Sequence, residues 1–215
     1  MISYYQFIPT DLVDYVETQI IPRYEEFDSA HHSDHARIVI NGSLPLAAVR
    51  HLSIPMAYTI AAYHDLGLSV GRKFHHIDSG KILLADRKLL QWFSPEEITI
   101  MKEAVEDHRA SSGKEPRSIY GKIVAEADRS IQSERTLTRI IQYGLDNYPE
   151  FSEEEQYTRF VNHLMEKYSP EGYVRLWLPD SPNAEPLKRL HAIIADRANL
   201  PSIFHHIYAN LTTHK

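Results

Sequence analysis

Hydrophobic residues recur at helical spacing along nearly the whole chain, and this pattern leaves little room for a sheet. Ser94-Pro95-Glu96-Glu97 places a capping serine, a proline and an acidic first turn in the order typical of a helix start. The pattern predicts helices over 10–27 with a kink at Pro22, 33–50, 54–66, 76–92, 95–110, 118–132, 134–144, 153–168, and a pair over 185–208. Val174–Leu178 is the one predicted strand. The sequence therefore predicts an all-α protein, with a single domain over residues 1–215.

Charge and composition exclude several functional classes. The chain has 23 basic and 29 acidic side chains, a formal net charge of −6, and no lysine-rich tract that would favour a nucleic-acid polymer as partner. The 14 residues from His51 to His64 form the longest uncharged stretch of the first half, too short to span a bilayer. The first residues lack the basic and apolar regions of a secretory signal. We therefore expect a cytoplasmic protein without a membrane partner.

The chain contains thirteen histidines and no cysteine. The absence of cysteine excludes disulfides, iron–sulfur clusters, thiolate zinc sites and a cysteine nucleophile. Imidazole nitrogen and carboxylate oxygen remain as the ligands that such a chain could offer to a metal ion.

Helical phase separates the histidines that face inward from those on the surface, because residues three and four apart share a helix face. His35 follows the stripe of Val39 and Leu46, and His108 follows that of Met101 and Val105. By the same reasoning, His76 faces inward, because it begins a stripe through Gly80, Leu83 and Leu90. Asp128 also faces inward, since it lies between Val124 and Ile131.

His64-Asp65 closes a helix that is apolar almost all round and is therefore predicted to be buried. A buried carboxylate costs several kcal/mol unless it is compensated. Each inward residue alone has an ordinary explanation, Asp128 for example as an ion-pair partner of Arg37 or Arg129. As a set they favour a shared divalent cation.

His35 in Ser33-Asp-His-Ala-Arg37, the His64-Asp65 doublet, and Asp128 in Ala125-Glu-Ala-Asp-Arg129 resemble the H…HD…D signature of the HD superfamily of metal-dependent phosphohydrolases. The resemblance covers about residues 25–132. It implies an HD-type helical bundle whose metal-binding core is this segment, with residues 133–215 as a helical extension or lid.

The resemblance implies one metal ion bound by His35, His64, Asp65 and Asp128. In a subset of the superfamily, two further histidines complete a site for two metal ions. Here His76 and His108 stand in those places, and His75 competes with His76. This ligand set does not distinguish among iron, manganese, zinc, nickel and magnesium. His31 and His32 are interpreted as surface or packing residues, and a supporting or substrate-binding role is the alternative.

The implied chemistry is hydrolysis of a small phosphate ester, possibly nucleotide-like, by a metal-activated water held by Asp65. Basic residues near the ligands are candidate phosphate contacts. Lys73 is preferred and Arg109 is next, ahead of Arg37, Arg72 and Lys81. A di-iron oxygenase and a non-catalytic metal-stabilised module are the alternatives.

The last third of the chain is rich in aromatic residues, including Tyr157, Phe160, Tyr168, Tyr173 and Trp177. We expect them to complete the helical packing. The alternative is a lid that stacks on a nucleobase.

Overall fold

The computed structural model describes residues 3–27, 32–129 and 131–213. It divides the chain into two compact units. The first unit comprises Met1–Ser130 together with Trp177–Pro179, and the second comprises Ile131–Leu176 and Asp180–Lys215. Helices and turns make up the described residues, with no strand among them, so the predicted all-α class is confirmed.

Among its described residues, the first unit has six α-helices and several shorter 3₁₀ and π turns around one hydrophobic core. The helices are α1 (Thr10–Tyr15), α2 (Ser33–Ala48), α3 (Ile54–Tyr63), α4 (His75–Ala85), α5 (Pro95–Asp107) and α6 (Ile119–Arg129). Helix α3 lies at the centre and contacts α2, α4, α5 and α6. Its ten residues are almost all buried, as its uniformly apolar sequence predicts.

Two predicted helix starts are confirmed by their caps. The Ser53 hydroxyl accepts from the Met56 amide at the start of α3. Ser94 and Glu97 form a reciprocal capping box at the start of α5. The first predicted helix is irregular instead: α1 is followed by a π turn over Val16–Ile20 and a 3₁₀ segment over Ile21–Glu26, with Pro22 at the second position of the latter.

The predicted helix over 76–92 extends beyond the observed one at its C-terminal end. Helix α4 begins at His75 and stops at Ala85, because Asp86 takes an extended backbone conformation and caps the next turn through the Lys88 amide at 3.0 Å. The Asp86 carboxylate also accepts the hydroxyls of Tyr15 and Tyr63, at 2.6 and 2.5 Å. These bonds fix the end of α4 against its neighbours.

The second unit contains four helices: α7 (Ser133–Asn147), α8 (Glu153–Tyr168), α9 (Ala184–Ala195) and α10 (Leu200–Thr213). Phe160 on α8 and Phe204 on α10 are fully buried, with ring centroids 5.4 Å apart. The expected strand at Val174–Leu178 is absent, and this stretch is irregular backbone. Phe160 and Tyr168 are buried inside the unit. None of the helices in the described part of the chain combines the length and the apolarity that crossing a bilayer needs.

Candidate metal centre

The His64-Asp65 doublet lies directly after α3, at the buried centre of the first unit. The His64 side chain is fully buried and Asp65 is 4% exposed. The Tyr24 hydroxyl donates to the Ala62 carbonyl at 2.9 Å and accepts from the Asp65 amide at 3.3 Å. Tyr24 therefore fixes the backbone from which both side chains project, a role that the sequence pattern did not reveal.

One carboxylate oxygen of Asp65 faces a first pair of histidines. Asp65 Oδ2 lies 3.3 Å from His64 Nε2 and 3.6 Å from His35 Nε2, and the two nitrogens are 3.2 Å apart. Asp128 joins this group from the last turn of α6, with Oδ1 at 3.2 Å from His35 Nε2 and 3.9 Å from His64 Nε2. The structure thus brings together all four residues of the predicted signature.

The other oxygen of Asp65 faces a second pair of histidines. Asp65 Oδ1 lies 3.4 Å from both His75 Nε2 and His108 Nε2, and these two nitrogens are 3.3 Å apart. The cluster therefore has two halves that share one carboxylate, and each half could hold a metal ion.

Hydrogen bonds at the far side of the rings fix the tautomers. Three imidazoles are bonded from Nδ1 to the backbone carbonyl three residues earlier: His64 to Ala61 at 2.8 Å, His75 to Arg72 at 2.9 Å, and His108 to Val105 at 2.6 Å. A carbonyl oxygen only accepts, so each Nδ1 carries a proton and each Nε2 is the ring nitrogen that faces Asp65. In the second half, two ring nitrogens and a carboxylate oxygen then face one another, an arrangement that could hold a metal ion.

The separations fit a metal ion. Two ligand atoms bound about 2.1 Å from one ion, at tetrahedral or octahedral angles, lie about 3.0–3.4 Å apart. The second half has separations of 3.3, 3.4 and 3.4 Å, and the first has 3.2, 3.3 and 3.6 Å. Imidazole and carboxylate ligands suit first-row transition metals such as manganese, iron and zinc.

The electrostatics of the cluster keep both carboxylates ionised. Burial opposes ionisation of Asp65, but His64 and His108 outweigh it and hold the pKa of the carboxyl well below its usual range. His35 does the same for Asp128, whose pKa is also lowered against the effect of burial. Burial and the neighbouring His108 lower the pKa of His75, which favours the neutral, ligating form of its ring.

The structure places His75 in the cluster, where the sequence favoured His76. The turn after Asp65 is the physical reason. Gly67 lies so close to α4 that its amide donates to the buried Ser79 hydroxyl at 2.8 Å. This contact turns the 75–79–83 face of α4 toward the cluster. The predicted hydrophobic stripe from His76 to Leu90 requires a helix that continues past Ala85. Helix α4 ends at Ala85.

The ring of His76 stands edge-on to that of His75, with centroids 5.6 Å apart, and has no cluster atom within ligand distance. Burial, with His108 and Arg109, lowers the pKa of His76 to about 4, so its imidazole is neutral at pH 7.

Replacing Gly67 should unfold this part of the site. A Cβ at Gly67 would lie 2.1 Å from the His75 carbonyl oxygen and 2.5 Å from the Ser79 amide, and both are backbone atoms. We expect Gly67→Ala to lower the free energy of unfolding by about 3 kcal/mol, the upper range for overpacking. Gly80→Ala is the comparison variant, because the three atoms nearest its Cβ, at 2.7 to 3.2 Å, all belong to the Glu106 side chain and none to the backbone. That variant should lose less stability than Gly67→Ala, because a side chain can shift where two backbone atoms cannot. Denaturant unfolding of both proteins measures the difference, and equal stabilities would contradict the packing argument.

The two predicted phosphate contacts, Lys73 before α4 and Arg109 after α5, lie next to each other. The Arg109 guanidinium donates to the Lys73 carbonyl, and its Nε donates to Ser111 at 2.8 Å. The Lys73 ammonium lies 5.2 Å from the Phe74 ring centroid. Gly71, two residues before Lys73, has a φ of 150°, a backbone conformation that favours glycine.

Two other candidate cations are occupied elsewhere. Arg37 forms a two-point ion pair with Glu17 at 2.7 and 3.1 Å, and Lys81 pairs with Asp78 at 2.8 Å. Neither Arg37 nor Arg129 is the partner of Asp128, since Arg129 lies nearest Glu126, at 3.8 Å. His32 is bonded to the Phe27 carbonyl at 2.8 Å, and His31 lies outside the described residues.

A cavity of about 340 Å³ lies beside the turn that follows Asp65, lined by Glu26, Phe27, Leu68, Ser69 and Arg72. Two of its lining residues form hydrogen bonds with residues of the cluster. The Leu68 amide donates to the Asp65 carbonyl at 2.9 Å, and the Arg72 carbonyl accepts from His75.

Comparison of the chain with protein-family models, curated proteins and solved structures finds no match.

Proposed function

We propose that the cluster binds two divalent metal ions and that the protein hydrolyses a small, nucleotide-like phosphate ester. The main support is the position of Asp65, whose two oxygens face two different pairs of histidine nitrogens. A carboxylate shared in this way is the usual bridge of a two-metal hydrolytic site. The resemblance to the HD signature gives the same reaction class.

Each half of the cluster has its own ligands in this proposal. His35, His64 and Asp128 would hold one ion, His75 and His108 would hold the other, and Asp65 would contribute one oxygen to each. Ions bound there would supply a water of lowered pKa and positive charge for the phosphoryl oxygens.

The protein's own groups complete the reaction site. The Asp65 carboxylate, ionised and buried between the two histidine pairs, would fix the spacing of the two halves and would accept a proton from a water bound there. Lys73, two residues before His75, and Arg109, directly after His108, would contribute positive charge to bind the phosphate. The cavity lined by Leu68, Ser69 and Arg72 would offer room for the part of the substrate that does not react.

Metal analysis followed by substrate screening tests the proposal. Protein purified without added metal should contain up to two equivalents of a first-row metal by elemental analysis. With that metal it should release phosphate or nucleotide from a panel of phosphomonoesters, cyclic phosphodiesters and nucleoside polyphosphates. Exhaustive chelation should abolish turnover and lower the melting temperature, because a bound metal stabilises the folded state.

Two outcomes would favour the alternatives. Iron as the only active metal, with oxygen consumed during turnover, indicates an oxygenase. Metal-dependent melting without hydrolysis of any phosphate in the panel indicates a non-catalytic module. Protein that binds no metal contradicts the proposal entirely.

A further inference from the structure

Helix α6 carries a second carboxylate that takes no part in the cluster. Glu126 is fully buried, and its Oε1 accepts a hydrogen bond from the Trp177 amide at 2.6 Å, 51 residues later in the chain. The Arg129 guanidinium lies 3.8 Å from the same oxygen and is also buried. A buried carboxylate is retained at a cost of several kcal/mol unless such partners compensate it. The bond to Trp177 is therefore a specific feature of the fold.

The segment that supplies this amide belongs to the first unit, although it is distant in sequence. Trp177–Pro179 is grouped with Met1–Ser130, and the Leu178 side chain is 5% exposed within the first unit's core. Because the backbone here is irregular, the Trp177 amide has no ladder partner and needs an acceptor. Glu126 provides it.

Glu126 lies in the same final turn of α6 as Asp128. The last carbonyls of a helix have no intrahelical partner, so side-chain contacts decide how firmly that turn is held. Residues two apart point to nearly opposite sides of a helix, so Glu126 can anchor the turn without touching the cluster. On the α2 side, Ala127 packs so closely that a Cβ on Gly42 would lie 3.1 Å from the Ala127 Cβ. The turn that carries Asp128 is thus held from two directions.

We propose that Glu126 is a positioning residue. By accepting the Trp177 amide it fixes the last turn of α6, and with it the Asp128 carboxylate at 3.2 Å from His35. The segment Trp177–Pro179 thereby sets the affinity of one half of the cluster for its metal ion. This inference rests on the proposed metal site, but it does not depend on phosphate hydrolysis.

Metal affinity of full-length variants, titrated with Co²⁺ against a competing chelator, tests the inference. Glu126→Ala should lower the affinity for the ion at His35 and His64 by about 10- to 100-fold, the usual effect of removing a group that orients a metal ligand. The ion at His75 and His108 should keep its affinity, because Asp128 does not reach that half. A general loss of structure would instead weaken the binding of both ions.

Three further variants keep the test decisive if Glu126→Ala fails to fold. Glu126→Gln keeps an acceptor oxygen and should retain wild-type affinity within about threefold. Trp177→Pro removes the donated amide and should reproduce the selective loss. Trp177→Phe keeps that amide and should bind both ions normally.

Hydrogen exchange provides a readout without metal. In the metal-free protein, the amides of Ala127 and Asp128 should exchange at least tenfold faster in Glu126→Ala and Trp177→Pro than in wild type. Unchanged exchange and unchanged Co²⁺ affinities in these variants would overturn the positioning role and leave the metal site standing. Wild-type protein that binds no Co²⁺ would overturn both proposals.

Discussion

Asp65→Asn should abolish the two-metal site while leaving the fold intact. The amide has the size of the carboxylate, but it is neutral and offers only one acceptor oxygen, so it cannot serve both halves of the cluster. We expect metal content to fall from two equivalents to at most one. Hydrolysis should fall by about 10³-fold, since a metal ion contributes several kcal/mol of transition-state stabilisation and each 1.36 kcal/mol is tenfold in rate.

Asp34→Asn is the matched control for this prediction. Asp34 is an exposed carboxylate next to His35 in sequence, and the substitution removes the same charge near the same site. It should keep its metal and most of its activity. Circular dichroism and thermal unfolding establish that both variants are folded. Full hydrolysis by Asp65→Asn in chelator-treated buffer, or equal losses in the two variants, would show that Asp65 is not the shared ligand.

Much of the cluster could be predicted because its residues lie on helices with one clear apolar face. His35 and His108 follow buried stripes, and the His64-Asp65 doublet closes a helix without a polar side. For such helices the phase of the pattern decides which side chains enter the core. The all-α class depends on the same signal.

The remaining features depend on contacts between segments that are distant in sequence. His75 and His76 are neighbours, so helical phase separates them only if the ends of α4 are known. Those ends are set by the Gly67 contact with Ser79 and by the bonds of Asp86 to Tyr15 and Tyr63. Likewise, the bond between Glu126 and Trp177 joins residues 51 positions apart, and no local pattern encodes it.

Paired substitutions of His75 and His76 should have very different effects, although the residues are adjacent and chemically identical. His75→Ala removes one of the three side chains that form the second half of the cluster. The His75 Nε2 lies 3.3 Å from His108 Nε2 and 3.4 Å from Asp65 Oδ1. We expect it to lose one metal equivalent and about 10²- to 10³-fold in kcat/KM, a loss of about 3–4 kcal/mol in transition-state stabilisation.

His76→Ala should bind two ions and retain kcat/KM within about threefold, because its ring contacts the back of His75 and reaches no cluster atom. Elemental analysis of the two proteins, purified side by side, gives the stoichiometry, and steady-state assays with the substrate identified in the panel give kcat/KM. The reverse order of effects would restore His76 as the ligand. Equal losses would mean that the start of α4 tolerates neither change, and their unfolding free energies would then fall together. A loss confined to His75→Ala at unchanged stability is the result that the Gly67–Ser79 packing requires, since that contact is what turns His75 toward Asp65.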